Sequence, residues 1–184
     1  MLFFVLLVIN LIFISLVTYI TYPLFKTVPE RPIPEAYEQL ETNVAPFYIY
    51  ATKENISTTI NSFFEDSDEQ FTILLDDYVS FSTEIPVFGM DVLLQTKFEP
   101  SVEQNGNLIL TQHSISLGVI QIPNEYALQY IANTIDLPDW VFVRPKEELI
   151  YIDVNNADFK GDFHVQFDRF DLAQNEIILQ VYAN

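Results

Sequence analysis

Two histidines and a scatter of carboxylates are the residues in this chain best suited to acid–base or metal chemistry. His113 sits mid-strand beside Ser114, and His164 lies four residues before Asp168. On an extended strand His164 and Asp168 share a face but stand about 13 Å apart, too far for a direct proton relay. Both histidines therefore read as half-exposed strand residues, and no residue is assigned a catalytic role. The acidic run Glu65-Asp66-Ser67-Asp68-Glu69 and the pair Asp76-Asp77 offer carboxylate oxygens of the kind calcium prefers. Neither has the D-x-[DN]-x-[DN]-G spacing of a calcium loop, and they read as a solvated helix end and a turn. No metal site and no cofactor is assigned. G-x-S-x-G, H-E-x-x-H and a glycine-rich phosphate loop are all missing, and the chain has only four glycines. With no cysteine there are no disulfides, thiolate ligands or cysteine nucleophiles. A carboxylate pair for glycoside hydrolysis has no particular candidates.

The address is easier to read than the chemistry. Positions 1–22 carry no charged side chain, and Leu2 to Ile20 is an almost unbroken run of Leu, Ile, Val and Phe. As a helix it spans about 28 Å, close to the hydrocarbon thickness of a bilayer. The run is too long for a signal peptide and ends in Tyr19-Ile20-Thr21-Tyr22-Pro23, with no A-x-A cleavage pattern. Residues 1–22 are thus expected to be a permanent transmembrane anchor, with tyrosines at the interface. Asn10 reads as one tolerated amide. Lys26 and Arg31 after the helix favour a cytoplasmic head by the positive-inside count, a weak rule for long domains. The lack of Lys or Arg before the helix points to a start codon upstream of Met1.

Pro23, Pro29, Pro32, Pro34 and Pro46 mark 23–46 as an extended linker, able to hold the head up to about 70 Å from the bilayer. Residues 47–184 are then one domain, with aromatics too abundant for a disordered acidic tail. Acids outnumber bases by 26 to 8, for a net charge of −18. Such a charge disfavours nucleic acid and anionic lipid surfaces as partners.

Within the domain, Thr52 caps a helix over Lys53 to Glu65 whose apolar stripe is Ile56, Ile60, Phe63 and Phe64. A strand at Phe71–Leu75, a turn at Asp76-Asp77 and alternation from Val79 to Phe98 follow. That alternation slips by one near Phe88-Gly89, which predicts a β-bulge there and makes Val79–Phe98 one long, bent strand pair or a kinked strand. Asn105-Gly106 is the strongest hairpin signal, joining Asp91–Glu99 to Asn107–Leu117. Pro123 opens a helix over Asn124 to Ile135, and Leu137-Pro138 ends it. Strands are expected at Trp140–Val143, Ile150–Val154, Phe163–Phe167 and Glu176–Tyr182. The fold class is α+β: a transmembrane helix, then a long curved antiparallel sheet packed with two amphipathic helices.

Several motifs in this order resemble the YpmS family, the DUF2140 domain of Gram-positive bacteria. They are Val87-Phe88-Gly89-Met90-Asp91-Val92, Phe98-Glu99-Pro100, Asn105-Gly106-Asn107-Leu108, Ser114-Ile115-Ser116-Leu117-Gly118, Ile122-Pro123, Leu137-Pro138-Asp139-Trp140-Val141 and Ile150-Tyr151. The resemblance implies a cell-membrane protein with one anchor and an extracytoplasmic domain, and it brings no catalytic residues. This chain departs from the family in lacking a basic start.

Phe81, Val92, Phe98, Ile115, Leu117, Phe163, Val165 and Phe167 supply more apolar strand surface than two helices obviously cover. They are either packed core or the lining of a groove for an acyl or prenyl chain, a layout similar to tubular lipid-binding folds. The expected function is a non-enzymatic envelope protein that binds a lipid. An assembly scaffold for an envelope partner and a membrane-tethered hydrolase are the alternatives.

Overall fold

The computed structural model describes residues 7, 10–15, 17–19, 22, 30–33, 45–63, 71–87, 90–118, 124–157 and 163–183. Much of the apolar N-terminal run, the acidic stretch 64–70, and Gly89 and Pro123 lie outside them. Residues 10–15 and 17–19 are helical, and no helix among the described residues is long and apolar enough to cross a membrane.

The domain is α+β, with two antiparallel sheets where the sequence pattern led us to expect one. The elements are β1 (Phe47–Ala51), α1 (Lys53–Phe63), β2 (Phe71–Leu75), β3 (Val79–Val87), β4 (Met90–Val102) and β5 (Leu108–Leu117), followed by α2 (Asn124–Thr134), β6 (Val141–Arg144), β7 (Leu149–Ile152), β8 (Phe163–Asp171) and β9 (Glu176–Ala183). Six strands form a sheet in the order β2-β3-β4-β5-β7-β6, and three form a second in the order β1-β9-β8. The sequence reading missed β1. It follows Pro46 directly, and its apolar and aromatic residues run continuously without the polar alternation that marks a half-buried strand.

Strand register gathers one apolar face on the large sheet. Phe71, Ile73 and Leu75 of β2 lie opposite Thr83, Phe81 and Val79, and the row continues through Leu94, Thr96 and Phe98 of β4. Beyond β4 it reaches Leu117, Ile115, Leu110 and Leu108 of β5, then Ile150 and Ile152 of β7. Helix α2 covers this face with Ala127, Leu128 and Ile131, all buried. Period 2 on the strands meeting period 3.6 on the helix is what places these side chains in one core.

The β3–β4 junction is a hairpin with Val87 opposite Met90, and the ladder from Val79 to Val87 is unbroken. The alternation of β3 ends at Val87 and that of its partner begins at Met90, and Phe88-Gly89 lie outside the described residues. Two bulges fall within the described strands. Pairing shifts between Lys97 and Phe98, leaving His113 as the extra residue of β5, and between Phe167 and Arg169, leaving Asp168 as the extra residue of β8.

The bulge at His113 restores Gln112 to the core face, where its Nε2 donates to Thr96 Oγ1 at 3.0 Å. Thr96 Oγ1 in turn donates to the Ser114 carbonyl at 3.1 Å. This polar rung separates two apolar clusters. Phe81, Phe98, Leu108, Leu110 and Leu128 belong to the larger, and Ile85, Leu94, Ile115 and Ala127 to the smaller.

Helix α1 starts as the capping rule requires: the Asn55 N–H donates to Thr52 Oγ1 at 3.2 Å. Two residues of the Pro-rich stretch touch the domain. Arg31 pairs with Asp139 at 3.1 Å and donates to the Val141 carbonyl at 2.9 Å, and Glu30 lies 3.8 Å from the buried Arg144. Residues 21–29 lie between the apolar run and this contact.

Candidate binding surface

The three-stranded sheet is where apolar side chains gather without being fully covered. Opposite pairs are Phe47 with Val181, Ile49 with Leu179 and Ala51 with Ile177 between β1 and β9. On the other flank Phe163 faces Ala183, Val165 faces Val181, and Phe167 faces Leu179. One face of this sheet therefore carries only apolar residues. At its inner end Ile177 is fully buried, and Ala51, Phe167 and Phe170 pack against the larger core cluster. At its outer end Phe47 is 69% exposed, Phe163 52% and Ile49 49%, with Val165, Leu179 and Val181 half-buried between them.

The opposite face is polar and aromatic. Tyr182 Oη donates to Gln180 Oε1 at 2.6 Å, and Gln180 Nε2 donates to Asp168 Oδ1 at 2.7 Å. Burial, with smaller contributions from Tyr48 and Asp168, raises the Tyr182 hydroxyl above its ordinary value. His164 lies opposite Tyr182 in the ladder.

The hairpin Asn105-Gly106 joins the two sheets. Gly106 adopts φ +78°, and a Cβ there would stand 2.6 Å from Gln166 Cβ, so only glycine fits. Its carbonyl accepts the Phe167 N–H at 2.8 Å. Beneath the turn lies a buried polar network. Asn107 Nδ2 donates to Tyr151 Oη at 2.7 Å and to Asp153 Oδ1 at 3.0 Å. Asn155 Nδ2 donates to Asn107 Oδ1 at 2.8 Å, and Asn156 Nδ2 to Asp153 Oδ2 at 2.7 Å. Burial pushes the Tyr151 hydroxyl up, with Glu103 and Asp153 adding to it and the Asn107 and Asn105 amides opposing. Both carboxylate oxygens of the buried Asp153 are engaged, so the network braces the fold.

The lipid-groove candidates divide between the sheets. Phe81, Phe98 and Ile115 are buried, with Leu117 packed on the smaller cluster and Val92 half-buried. Phe163, Val165 and Phe167 come together on the small sheet, joined by Phe47, Ile49, Leu179 and Val181, which the sequence reading did not single out. An uncharged run between Pro46 and Lys53 was the available signal for Phe47 and Ile49.

Among the motif residues, Pro100 lies opposite Leu110 in the ladder and Gly118 takes φ +57° at the end of β5. Leu137 and Trp140 pack on the larger cluster. The Pro138 carbonyl accepts the Val141 N–H, and the exposed Asp139 holds Arg31.

Two surface clefts are lined by described residues. One of about 430 Å³ has Asp77, Glu99, Asp168, Arg169 and Asp171 on its walls; the other, about 490 Å³, runs between α1 and β2 past Lys53, Ser57, Asn61 and Leu74. Arg169 in the first is held by Glu176 at 2.6 Å, which raises its guanidinium further. Neither cleft is an enclosed apolar cavity of the kind that swallows an acyl chain. His113 stacks on Tyr78 with ring centroids 4.3 Å apart, and Lys97 Nζ lies 5.9 Å from the same ring. Among the described residues no three His, Asp or Glu side chains converge as metal ligands.

A family model described as "Uncharacterized protein conserved in bacteria (DUF2140)" matches residues 1–183. The chain belongs to the DUF2140 family. The chain is also 27% identical over 139 residues to the uncharacterised protein YpmS of Bacillus subtilis (strain 168), a match covering 74% of each chain. No solved structure matches it. In this DUF2140 chain the hairpin motif is the joint between sheets, and Leu137-Pro138-Asp139-Trp140 leads into the edge strand β6 that receives Arg31.

Proposed function

We propose that this chain is a non-enzymatic, single-pass membrane protein of the cell envelope, whose extracytoplasmic domain holds a hydrophobic ligand against the small sheet. The observation that carries the reading is the outer apolar face of Phe47, Ile49, Phe163, Val165, Leu179 and Val181. A monomeric soluble protein rarely leaves a contiguous apolar patch of this kind without a use for it. The wall of the large sheet is packed core, so the ligand lies across a surface and is not enclosed by a tube. The uncharged run Leu2 to Ile20 supplies the anchor, and the contacts of Glu30 and Arg31 keep the head close to the bilayer.

The test has two parts. Protease added to intact cells or protoplasts cleaves the domain if it lies outside; full protection there removes the envelope role. Native mass spectrometry of the full chain, released gently from detergent, should show a retained lipid that a Phe163→Asp variant loses. Repeated recovery of bare protein from both would overturn lipid binding. The scaffold reading rests on the same exposed face and predicts that a membrane or cell-wall assembly protein co-purifies in the lipid's place.

A further inference from the structure

Among the described residues four strands end a sheet, and three of them are guarded. The backbone edge of β2 is occupied by α1: Asn61 Nδ2 donates to the Ile73 carbonyl at 2.7 Å, Asn61 Oδ1 accepts the Ile73 N–H at 2.8 Å, and Ser57 Oγ accepts the Leu75 N–H at 3.0 Å. The edge of β6 is held by Arg31 on the Val141 carbonyl. The edge of β8 is broken by the bulge at Asp168 and capped by the Gly106 carbonyl on the Phe167 N–H. Proteins guard sheet edges in just these ways, because an open row of N–H and C=O groups is a template for another strand.

Among the described residues the fourth edge, β1, has none of these devices. Among the described residues its only strand neighbour is β9. Phe47, Tyr48, Ile49 and Tyr50 are all exposed, Tyr50 by 71%. The strand reads Phe-Tyr-Ile-Tyr-Ala, and residues 42–52 contain no charged side chain in a chain of net charge −18.

We infer that β1 is the seam of a homodimer, in which β1 of a second copy pairs with it antiparallel about Ile49 to make one six-stranded sheet. The occupant is a second copy because the strand is self-complementary. Reversed about Ile49, Tyr48 falls opposite Tyr50 and Phe47 opposite Ala51, so apolar meets apolar on one face and tyrosine meets tyrosine on the other. The charge argument points the same way. Two strongly acidic heads repel across most of their surfaces, and an uncharged strip is where like copies approach at least cost. Antiparallel self-pairing of an edge is a closed two-fold contact, which halts at two copies. It would also double the apolar face, but the inference stands on the edge alone and does not require a lipid.

The absence of cysteine makes the test direct, since any disulfide must come from an introduced thiol. In full-length protein in nanodiscs, Ile49→Cys should give a species of doubled mass under mild oxidation. Asp77→Cys, on the β2–β3 turn, should give less than a tenth as much. By light scattering in mild detergent, the unmodified chain should have twice the mass of Ile49→Lys, which puts a charge on the seam. A monomeric unmodified chain overturns the inference whether or not the variants fold. So does an Ile49→Cys adduct of unlike mass, which means a different protein occupies the edge, or equal crosslinking from Asp77→Cys, which means random collision.

Discussion

The two ends of the three-stranded sheet are made of the same kinds of residue and have opposite fates. At the inner end Ile177, Phe167 and Phe170 run under the large sheet, and the Asn105-Gly106 hairpin is pressed against β8. At the outer end Phe47, Ile49 and Phe163 project beyond any covering element among the described residues. Hydrophobicity alone does not separate the ends, because phenylalanine and isoleucine occur at both. What differs is whether another element reaches them. Residues that stabilise the fold and residues free to meet something else thus lie on one continuous face, and mutation should tell them apart.

The sharpest contrast comes from truncating the inner end. Ile177→Ala removes a fully buried side chain and should cost about 3–4 kcal/mol, seen as a lower urea midpoint with an unchanged slope. Gly106→Ala should cost nearly as much, about 3 kcal/mol. The left-handed backbone penalises the new side chain, and the Cβ collides with Gln166 in the other sheet. If Gly106→Ala were neutral, the hairpin would not be the joint between the sheets.

These two residues also show what a sequence can disclose. Asn-Gly announces its hairpin through local turn chemistry, and both helices announce theirs through periodicity and caps, so those elements were legible. The second role of Gly106, as the point where β8 crosses the turn, is a non-local contact with no local signal. The same holds for the bulges at His113 and Asp168, since register belongs to a pair of strands and cannot be read from either one. Whether Phe98 or Phe163 is core was undecidable for a related reason: each sits at an apolar strand position, and only the placement of α2 and β9 distinguishes them. Pro46 stands in plain view directly before β1, yet β1 lacked the alternation that would have named it a strand.

A smaller effect, tied to pH, probes the polar network under the joint. Burial raises the Tyr151 hydroxyl in the folded chain, so the fold favours the neutral phenol. In the unfolded chain the group ionises near its ordinary value of about 10. Its contribution is therefore fully present below that pH and is lost as pH climbs through the higher folded value. Tyr151→Phe should lower stability at neutral pH by about 1–2 kcal/mol, because the Asn107 amide loses an acceptor. It should also flatten the alkaline decline. A titration of phenolate absorbance should show one late-ionising tyrosine missing from the variant.

The smallest expected effect decides what the outer end is for. Phe163→Ala deletes as many atoms as a drastic core substitution, but the side chain is about half exposed and lies at the margin of β8. The loss of folding stability should follow the buried half of the ring, about 1–1.5 kcal/mol. If this end also serves a ligand, binding of an apolar fluorescent probe should fall several-fold as well, and if it serves only the fold, probe binding should stay unchanged. Measured beside Ile177→Ala under the same denaturant, the two substitutions compare one apolar face at both ends. A Phe163→Ala loss approaching that of Ile177→Ala would mean that the outer end is core after all, covered by a part of the chain beyond the described residues, and the proposed binding surface would go with it.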